Sequence, residues 1–204
     1  EILANSILNF DERGGEYVRP FIGRVSVDQL YQINGNTPGN HYTLTKLLWI
    51  RDHQSDVFHQ TYRFLHWGAF VGYMLGAEPA VDFSLANRTL LFDLDRETWS
   101  DLLVEAAGLD VAKLPVCVPS GTVIGEVSRK LAADLGLNTG RVAIVSGAHD
   151  QCANALGCGV VHEGSAMFGM GTYFCIAPVF GARPDFTQML PHGLNTEHHA
   201  VRGR

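Results

Sequence analysis

The sequence predicts an α/β fold, and two patterns support this prediction. Stretches with apolar residues at helical spacing alternate with short runs that are apolar throughout, as buried strands are. One such run, residues 142–145, leads through a turn of small residues into a helix-like stretch that begins at Asp150. In α/β folds, ligands commonly bind at strand-to-helix corners of this kind.

The elements can be predicted in chain order. The first forty residues contain turn signals such as Gly14-Gly15 and Pro38-Gly39, and are predicted to be irregular. A helix is predicted from Thr43, because the leucines that follow have helical spacing. Each of three further predicted helices ends at a glycine, a residue that commonly stops helices. They cover residues 67–75, 98–107 and 126–135.

The second half of the chain contains the predicted strands. Residues 142–145 are expected to form a strand buried on both faces, because every side chain in the run is apolar. Residues 150–156 are predicted to be a helix that ends at Gly157-Cys158-Gly159. From Ala166 onward, two short apolar segments around residues 169–172 predict a β-hairpin.

Composition excludes several classes of protein. The chain has 204 residues, of which 46% are hydrophobic and 18% charged, as expected of a globular protein with a real core. Its net charge of −6 argues against nucleic acid as a partner, and it has no apolar run near ~20 residues that could span a membrane. Without a secretory pattern or C-x-x-C spacing among its four cysteines, the chain is predicted to be cytoplasmic and reduced.

Two features point to phosphoryl transfer. Asp150 places a carboxylate at the strand-to-helix corner, where it could accept the proton of an attacking hydroxyl. The Gly-Met-Gly-Thr turn, residues 169–172, offers backbone N–H groups and a hydroxyl suited to phosphate oxygens. The alternative for Asp150 is a plain helix N-cap, and for the turn an ordinary hairpin.

Together with these two features, several other stretches resemble the FGGY carbohydrate kinases. They are ILNFDER from Ile7, TKLLW from Thr45, GAEPAVDFSLANRTLL from Gly76, AHDQ from Ala148 and GLNTEHH from Gly193. The resemblance implies a ribonuclease-H-like, actin-type ATPase fold. Residues 1–161 would be the later part of the N-terminal lobe, and residues 162–204 the start of the C-terminal nucleotide-binding lobe. The family's opening Asp-x-Gly-Thr hairpin and most of its second lobe have no counterpart here, so the chain is expected to be a fragment.

The resemblance also implies roles for individual residues. Asp150 would be the catalytic base, and Gln151 would contact the sugar, although it could equally be an ordinary polar residue of a first helical turn. Gly171 and Thr172 would face the γ-phosphate, with Tyr173 standing where most members carry a small residue.

Three residues nearer the N-terminus are further candidates for sugar contact. Asp11 and Arg13 match the end of the family's Trp-x-Asp-x-Arg segment, with Asn9 at the Trp position, and could instead be a surface pair. His41 stands where glycerol kinase carries a substrate-contacting Tyr, and could instead be a loop residue facing solvent.

The implied activity is ATP-dependent phosphorylation of a sugar or polyol, with a pentulose such as xylulose as the expected substrate. Mg²⁺ would accompany the ATP, and no protein metal site is predicted, because the histidines lack the H-E-x-x-H or paired spacings of zinc sites. A homodimer is one arrangement that we consider. A nicotinamide enzyme is disfavoured because the residues from Gly157 fail G-x-G-x-x-G, and no Gly-Lys pair supports a P-loop. The remaining alternative is a sugar- or partner-binding fragment of the same scaffold, inactive alone.

Overall fold

The computed structural model describes residues 1–137, 140–171 and 174–203. They form two compact units, each assembled from three stretches of the chain. The first unit contains Glu1–Phe64, Ala86–Leu114 and Pro184–Glu197. The second contains Leu65–Leu85, Pro115–Arg183 and His198–Arg204.

Both helices and strands are present, in agreement with the predicted α/β class. The helices are α1 (Val18–Arg24), α2 (Val27–Asn34), α3 (Thr43–His53), α4 (Ser55–Gln60), α5 (Trp67–Leu75), α6 (Phe83–Asn87), α7 (Asp101–Ala107), α8 (Arg129–Asp134), α9 (Asp150–Gly157) and α10 (Phe186–Met189). The strands are β1 (Ala80–Asp82), β2 (Phe92–Asp93), β3 (Thr98–Trp99), β4 (Val116–Val118), β5 (Val123–Glu126), β6 (Ala143–Val145), β7 (Ala166–Met170) and β8 (Phe174–Pro178). Among the described residues, no helix is long and apolar enough to cross a membrane.

The first unit is mainly helical, and it corrects the prediction of an irregular N-terminal stretch. Helices α1 and α2 lie within the first forty residues. The Ser26 hydroxyl accepts a hydrogen bond from the Gln29 N–H at 3.2 Å, and Gly35 ends α2 with φ of 78°. These are ordinary helix start and stop signals. The prediction gave the glycines and prolines too much weight and overlooked the cap at Ser26.

Two helix starts were also predicted too early. Thr98 and Trp99 form β3, which pairs antiparallel with β2, and the Ser100 hydroxyl caps α7 instead. In the second unit, Glu126 ends β5, and Ser128 caps α8. The predicted glycine stop after α7 is confirmed, because Gly108 has φ of 63°. In both cases a short strand precedes the helix: β3 pairs with the nearby β2, and β5 pairs with β6 beyond α8.

Three strand pairs are found among the described residues of the second unit. Strand β1 pairs parallel with β4, whereas β5 pairs with β6 and β7 with β8 antiparallel. The prediction that the strand at residues 142–145 is buried on both faces is wrong. Ile144 is buried, but Ala143 and Val145 are exposed, so β6 is covered on one face. The helix α9 and the β7–β8 hairpin are confirmed where the structure describes them.

Helix α9 packs against the hairpin through a small apolar core. Ala155 on α9 contacts a buried cluster with Val160, Met167 and Val179, and Ala177 packs against this cluster. Because the side chains of β7 alternate, Met167 points into this core. The cluster fixes α9, whose first residue is Asp150, against the strand that carries Gly169.

Candidate functional site

The corner between β6 and α9 is anchored at its first residue. The Ser146 N–H donates to the Thr122 carbonyl at 2.8 Å, and the Ser146 hydroxyl donates to the Pro119 carbonyl at 3.0 Å. The same hydroxyl accepts a hydrogen bond from the Thr122 N–H at 3.2 Å. These bonds tie the end of β6 to the turn that leads into β5. The position of Ser146, where the corner begins, is therefore fixed.

Asp150 is the first residue of α9, and its side chain is 76% exposed. The N-cap position belongs to His149, so the alternative reading of Asp150 as a plain N-cap does not hold. One carboxylate oxygen lies 3.1 Å from His149 Nε2. A carboxylate in the first turn of a helix is favoured by the helix dipole, and this one is accessible to a ligand. Its role as catalytic base remains a prediction.

Gln151 lies beside the hairpin. A Cβ atom placed on Gly169 would be 3.7 Å from the Gln151 side-chain oxygen, so the amide of this residue sits against β7. The structure thus brings the corner and the predicted phosphate-binding hairpin into contact within the second unit. Gly171 is exposed, whereas Thr172 and Tyr173 lie outside the described residues.

A cleft of about 480 Å³ reaches the same corner. Its walls are mostly apolar side chains from α5, β1 and β6, with Asp82 and Ser146 among the few polar residues that line it. Sugars bind through many hydroxyl-directed hydrogen bonds, so this lining does not by itself make a sugar site.

Asp82 and Ser84 are both buried in the second unit, and no role was predicted for either. Asp82 ends β1, and one of its oxygens accepts hydrogen bonds from the Ser84 hydroxyl and from the Leu85 N–H. Burial raises the pKa of Asp82, and the Ser84 and backbone donors oppose that rise. Burial, together with the charge of Asp82, also raises the pKa of the Cys117 thiol. The available sequence signal was Asp82 directly after Ala80-Val81, with Ser84 two positions later.

His66 precedes α5 in the same unit and is expected to make stability depend on pH. Burial, assisted by the nearby His149, lowers the pKa of His66 to about 4. The unfolded chain therefore binds a proton near pH 6.5 that the folded chain takes up only near pH 4, so stability should fall as pH drops through this window. The difference between the two pKa values corresponds to a loss of about 3 kcal/mol. This is an upper limit, because part of His66 is accessible to solvent.

Urea unfolding measured between pH 7.5 and pH 4 would check this expectation. His66→Gln should flatten the pH dependence, whereas His53→Gln, at the exposed end of α3, should leave it unchanged. Equal pH dependence in the wild-type chain and His66→Gln would contradict it.

In the first unit, Asp11 and Arg13 form a closed pair. The Arg13 guanidinium donates to Asp11 through Nε at 2.7 Å, and the Arg13 backbone N–H donates to the same carboxylate at 2.9 Å. Hydrogen bonding to Arg13 lowers the pKa of Asp11 well below its usual range. The guanidinium also lies 4.8 Å from the centre of the Trp49 ring. Both side chains remain partly exposed, so contact with a sugar remains a prediction.

Lys46, buried in α3, holds this pair in place, and no role was predicted for it. Its ammonium donates to the Asp11, Arg13 and Asn40 carbonyls at 2.6, 2.8 and 2.7 Å, and to the Asn40 side-chain oxygen at 3.0 Å. An ammonium group has three donors, and here they join the segment that contains Asp11 and Arg13 to the segment at Asn40. Burial lowers the pKa of Lys46 despite the nearby charge of Asp11.

His41 directly follows Asn40 in the chain. Its ring packs against Tyr42 with centroids 4.0 Å apart, and Tyr42 donates to Asn36 at 3.1 Å. Partial burial, followed by the charges of Arg88 and Lys46, lowers the pKa of His41. The neutral ring that this favours can donate to or accept from a hydroxyl. Its contact with a sugar also remains a prediction.

The fold and the corner define a class of protein, and comparison with known proteins gives the family. The solved structure of a Brucella ovis xyloylose kinase matches 97% of this chain and 39% of its own, with TM-score 0.84 and 26% identity. The Rhodospirillum rubrum xylulose kinase structure matches 95% of this chain and 38% of its own, with TM-score 0.84 and 25% identity. The fold is thus the ribonuclease-H-like, actin-type ATPase fold of the sugar kinases, present in part.

The family follows from the sequence comparison. The family model described as "FGGY family of carbohydrate kinases, N-terminal domain" matches residues 1–157. This chain therefore belongs to the FGGY family of carbohydrate kinases. The xylulose kinase of Klebsiella pneumoniae is 30% identical over 207 residues, which cover the whole of this chain and 41% of the relative. The Autoinducer-2 kinase of Yersinia pestis is 33% identical over 146 residues, or 72% of this chain and 27% of the relative.

The chain thus spans less than half the length of these relatives. The assignment of residues 162–204 to the second lobe remains a prediction, because the family model ends at residue 157.

Proposed function

We propose that this chain is part of an enzyme that transfers the γ-phosphoryl group of ATP to a sugar hydroxyl. The observation that carries the proposal is the exposed carboxylate of Asp150, held at the strand-to-helix corner next to a glycine hairpin. Asp150 would accept the hydroxyl proton as the sugar oxygen attacks phosphorus, giving ADP and a sugar phosphate. Membership of a carbohydrate kinase family supports this chemistry.

The other candidate residues would position the two substrates. The Gln151 amide can both donate to and accept from sugar hydroxyls, and Asp11, Arg13 and His41 would make further sugar contacts. Gly171 and Thr172 would face the ATP phosphates, and Mg²⁺ would arrive with the nucleotide. Positioning and charge stabilisation supply most of the catalysis in phosphoryl transfer, so these residues matter as much as the base.

For the substrate, we propose a pentulose such as xylulose. Relatives named xylulose kinase support this choice, and the match to one of them extends over 100% of this chain. Because other relatives are named Autoinducer-2 kinase, autoinducer-2 is the second substrate to test. We also propose that the enzyme works in the cytoplasm, where its four cysteines would stay reduced.

A coupled assay of ADP release would test the proposal. The complete product of the reading frame that contains this sequence would be incubated with Mg-ATP and a panel of pentuloses, hexuloses and polyols. ADP release that depends on a pentulose is the expected result. Sugar binding by calorimetry without ADP release would contradict the kinase activity and support the non-catalytic alternative.

A further inference from the structure

Ser84 makes one hydrogen bond to His149 and one to Asp82, and the proposed mechanism uses neither bond. Its hydroxyl oxygen accepts a hydrogen bond from the His149 backbone N–H at 2.8 Å, across 65 residues of sequence. The hydroxyl hydrogen is donated to the Asp82 carboxylate. Both Asp82 and Ser84 are buried. The three groups therefore form a hydrogen-bonded network from the end of β1 to the start of α9.

The order of donors and acceptors in this network fixes its geometry. A serine hydroxyl has one hydrogen, and Asp82 takes it, so a lone pair of the oxygen is left for the His149 N–H. Asp82 is itself fixed, because it also accepts from the Leu85 N–H at 3.1 Å. In a buried setting, breaking either bond would leave a polar group unsatisfied, which makes the arrangement hard to distort.

This hydrogen-bonded network anchors the end of the corner next to α9. Ser146 ties the first end to the turn before β5, and Ser84 ties His149 to the end of β1. The His149 ring is in turn 3.1 Å from the Asp150 carboxylate, and only 21% of its side chain is exposed. The exposed carboxylate of Asp150 is thus in contact with a mostly buried ring.

We propose that Ser84, oriented by Asp82, is a positioning residue that holds Asp150 in place for phosphoryl transfer. The inference rests on the proposed function for its catalytic consequence, but the anchoring itself can be measured without activity. General bases act only within a narrow range of distance and angle, so a loosened corner should lower turnover more than it changes substrate binding.

The first arm of the test uses NMR on the 204-residue chain. Ser84→Ala should accelerate amide hydrogen exchange at His149 by ~10-fold, the worth of one hydrogen bond, and should shift the carboxyl carbon signal of Asp150. Ser84→Thr keeps the hydroxyl and should restore both signals toward the wild type. Ser128→Ala is the matched control, because Ser128 caps α8 in the same unit, and it should leave both unchanged.

The second arm measures kinetics on the complete product of the reading frame. Ser84→Ala should lower kcat by ~10- to 100-fold, with KM for ATP changed less than about 3-fold, and Ser84→Thr should recover most of the turnover. Should Ser84→Ala fail to fold, Ser84→Cys gives the same comparison, because its thiol has similar shape but is a weak acceptor.

The two arms separate the possible failures. Unchanged exchange at His149 and an unchanged Asp150 signal in Ser84→Ala would overturn the anchoring. Altered spectra with normal kcat would overturn the positioning role. A wild-type protein that releases no ADP would refute the proposed function, and the NMR arm would still decide whether Ser84 holds Asp150.

Discussion

Asp150→Asn is expected to lower kcat by ~10²–10⁴ in the complete product of the reading frame, the usual contribution of a general base. Asparagine has nearly the same shape as aspartate, but its amide cannot take up the proton of the attacking hydroxyl. The KM for the sugar should change little, because the substitution removes an interaction that matters mainly in the transition state. ADP release at saturating ATP and sugar would measure the effect.

The fold should survive this substitution. The Asp150 side chain is exposed, and its loss from the first turn of α9 removes a helix-dipole interaction worth about 0.3–1 kcal/mol. Asp134→Asn is the matched control, since Asp134 is an exposed carboxylate at the end of α8 in the same unit. It should leave kcat unchanged. Near-normal turnover in Asp150→Asn would show that this carboxylate is not the base.

The corner could be predicted from the sequence because its signals are local. A short apolar run, small residues and an Asp-Gln pair follow one another within ten residues, and the resulting helix α9 begins at Asp150 as expected. The Asp11–Arg13 pair is similarly local, because the two residues are only two positions apart. The hairpin was also predictable, since two short apolar segments flank a glycine-rich stretch and pair antiparallel.

The residues that support the site could not be predicted in the same way. Ser84 reaches His149 across 65 residues, and Lys46 reaches Asp11 across 35. Such bonds depend on which segments the fold brings together, and no periodicity or cap signal encodes them. The one-sided burial of β6 has the same cause, because its exposure depends on what packs against it. A run of apolar residues alone cannot distinguish a strand covered on one face from one covered on both.

Lys46→Met is the second substitution expected to have a large effect, and here the effect is on stability. We expect the free energy of unfolding to fall by about 1–3 kcal/mol, because three partly buried carbonyls lose a charged hydrogen-bond donor. The Asn40 carbonyl keeps a hydrogen bond from the Thr45 hydroxyl at 3.2 Å, which limits the loss. The lowered pKa of Lys46 shows that burying its charge is costly, and methionine removes that cost. The loss of several bonds should nevertheless outweigh this relief.

Urea unfolding followed by circular dichroism would measure the change, with Lys130→Met as the control. The Lys130 side chain is 90% exposed and its ammonium lies 3.5 Å from Asp134, so this change should cost less than about 0.5 kcal/mol. Lys46→Arg should not restore stability, because a planar guanidinium cannot direct its donors to the same three carbonyls as an ammonium. An arginine variant as stable as the wild type would show that positive charge alone holds the Asp11–Arg13 loop. A Lys46→Met variant as stable as the wild type would show that the hydrogen bonds of the ammonium only compensate for the cost of burying its charge.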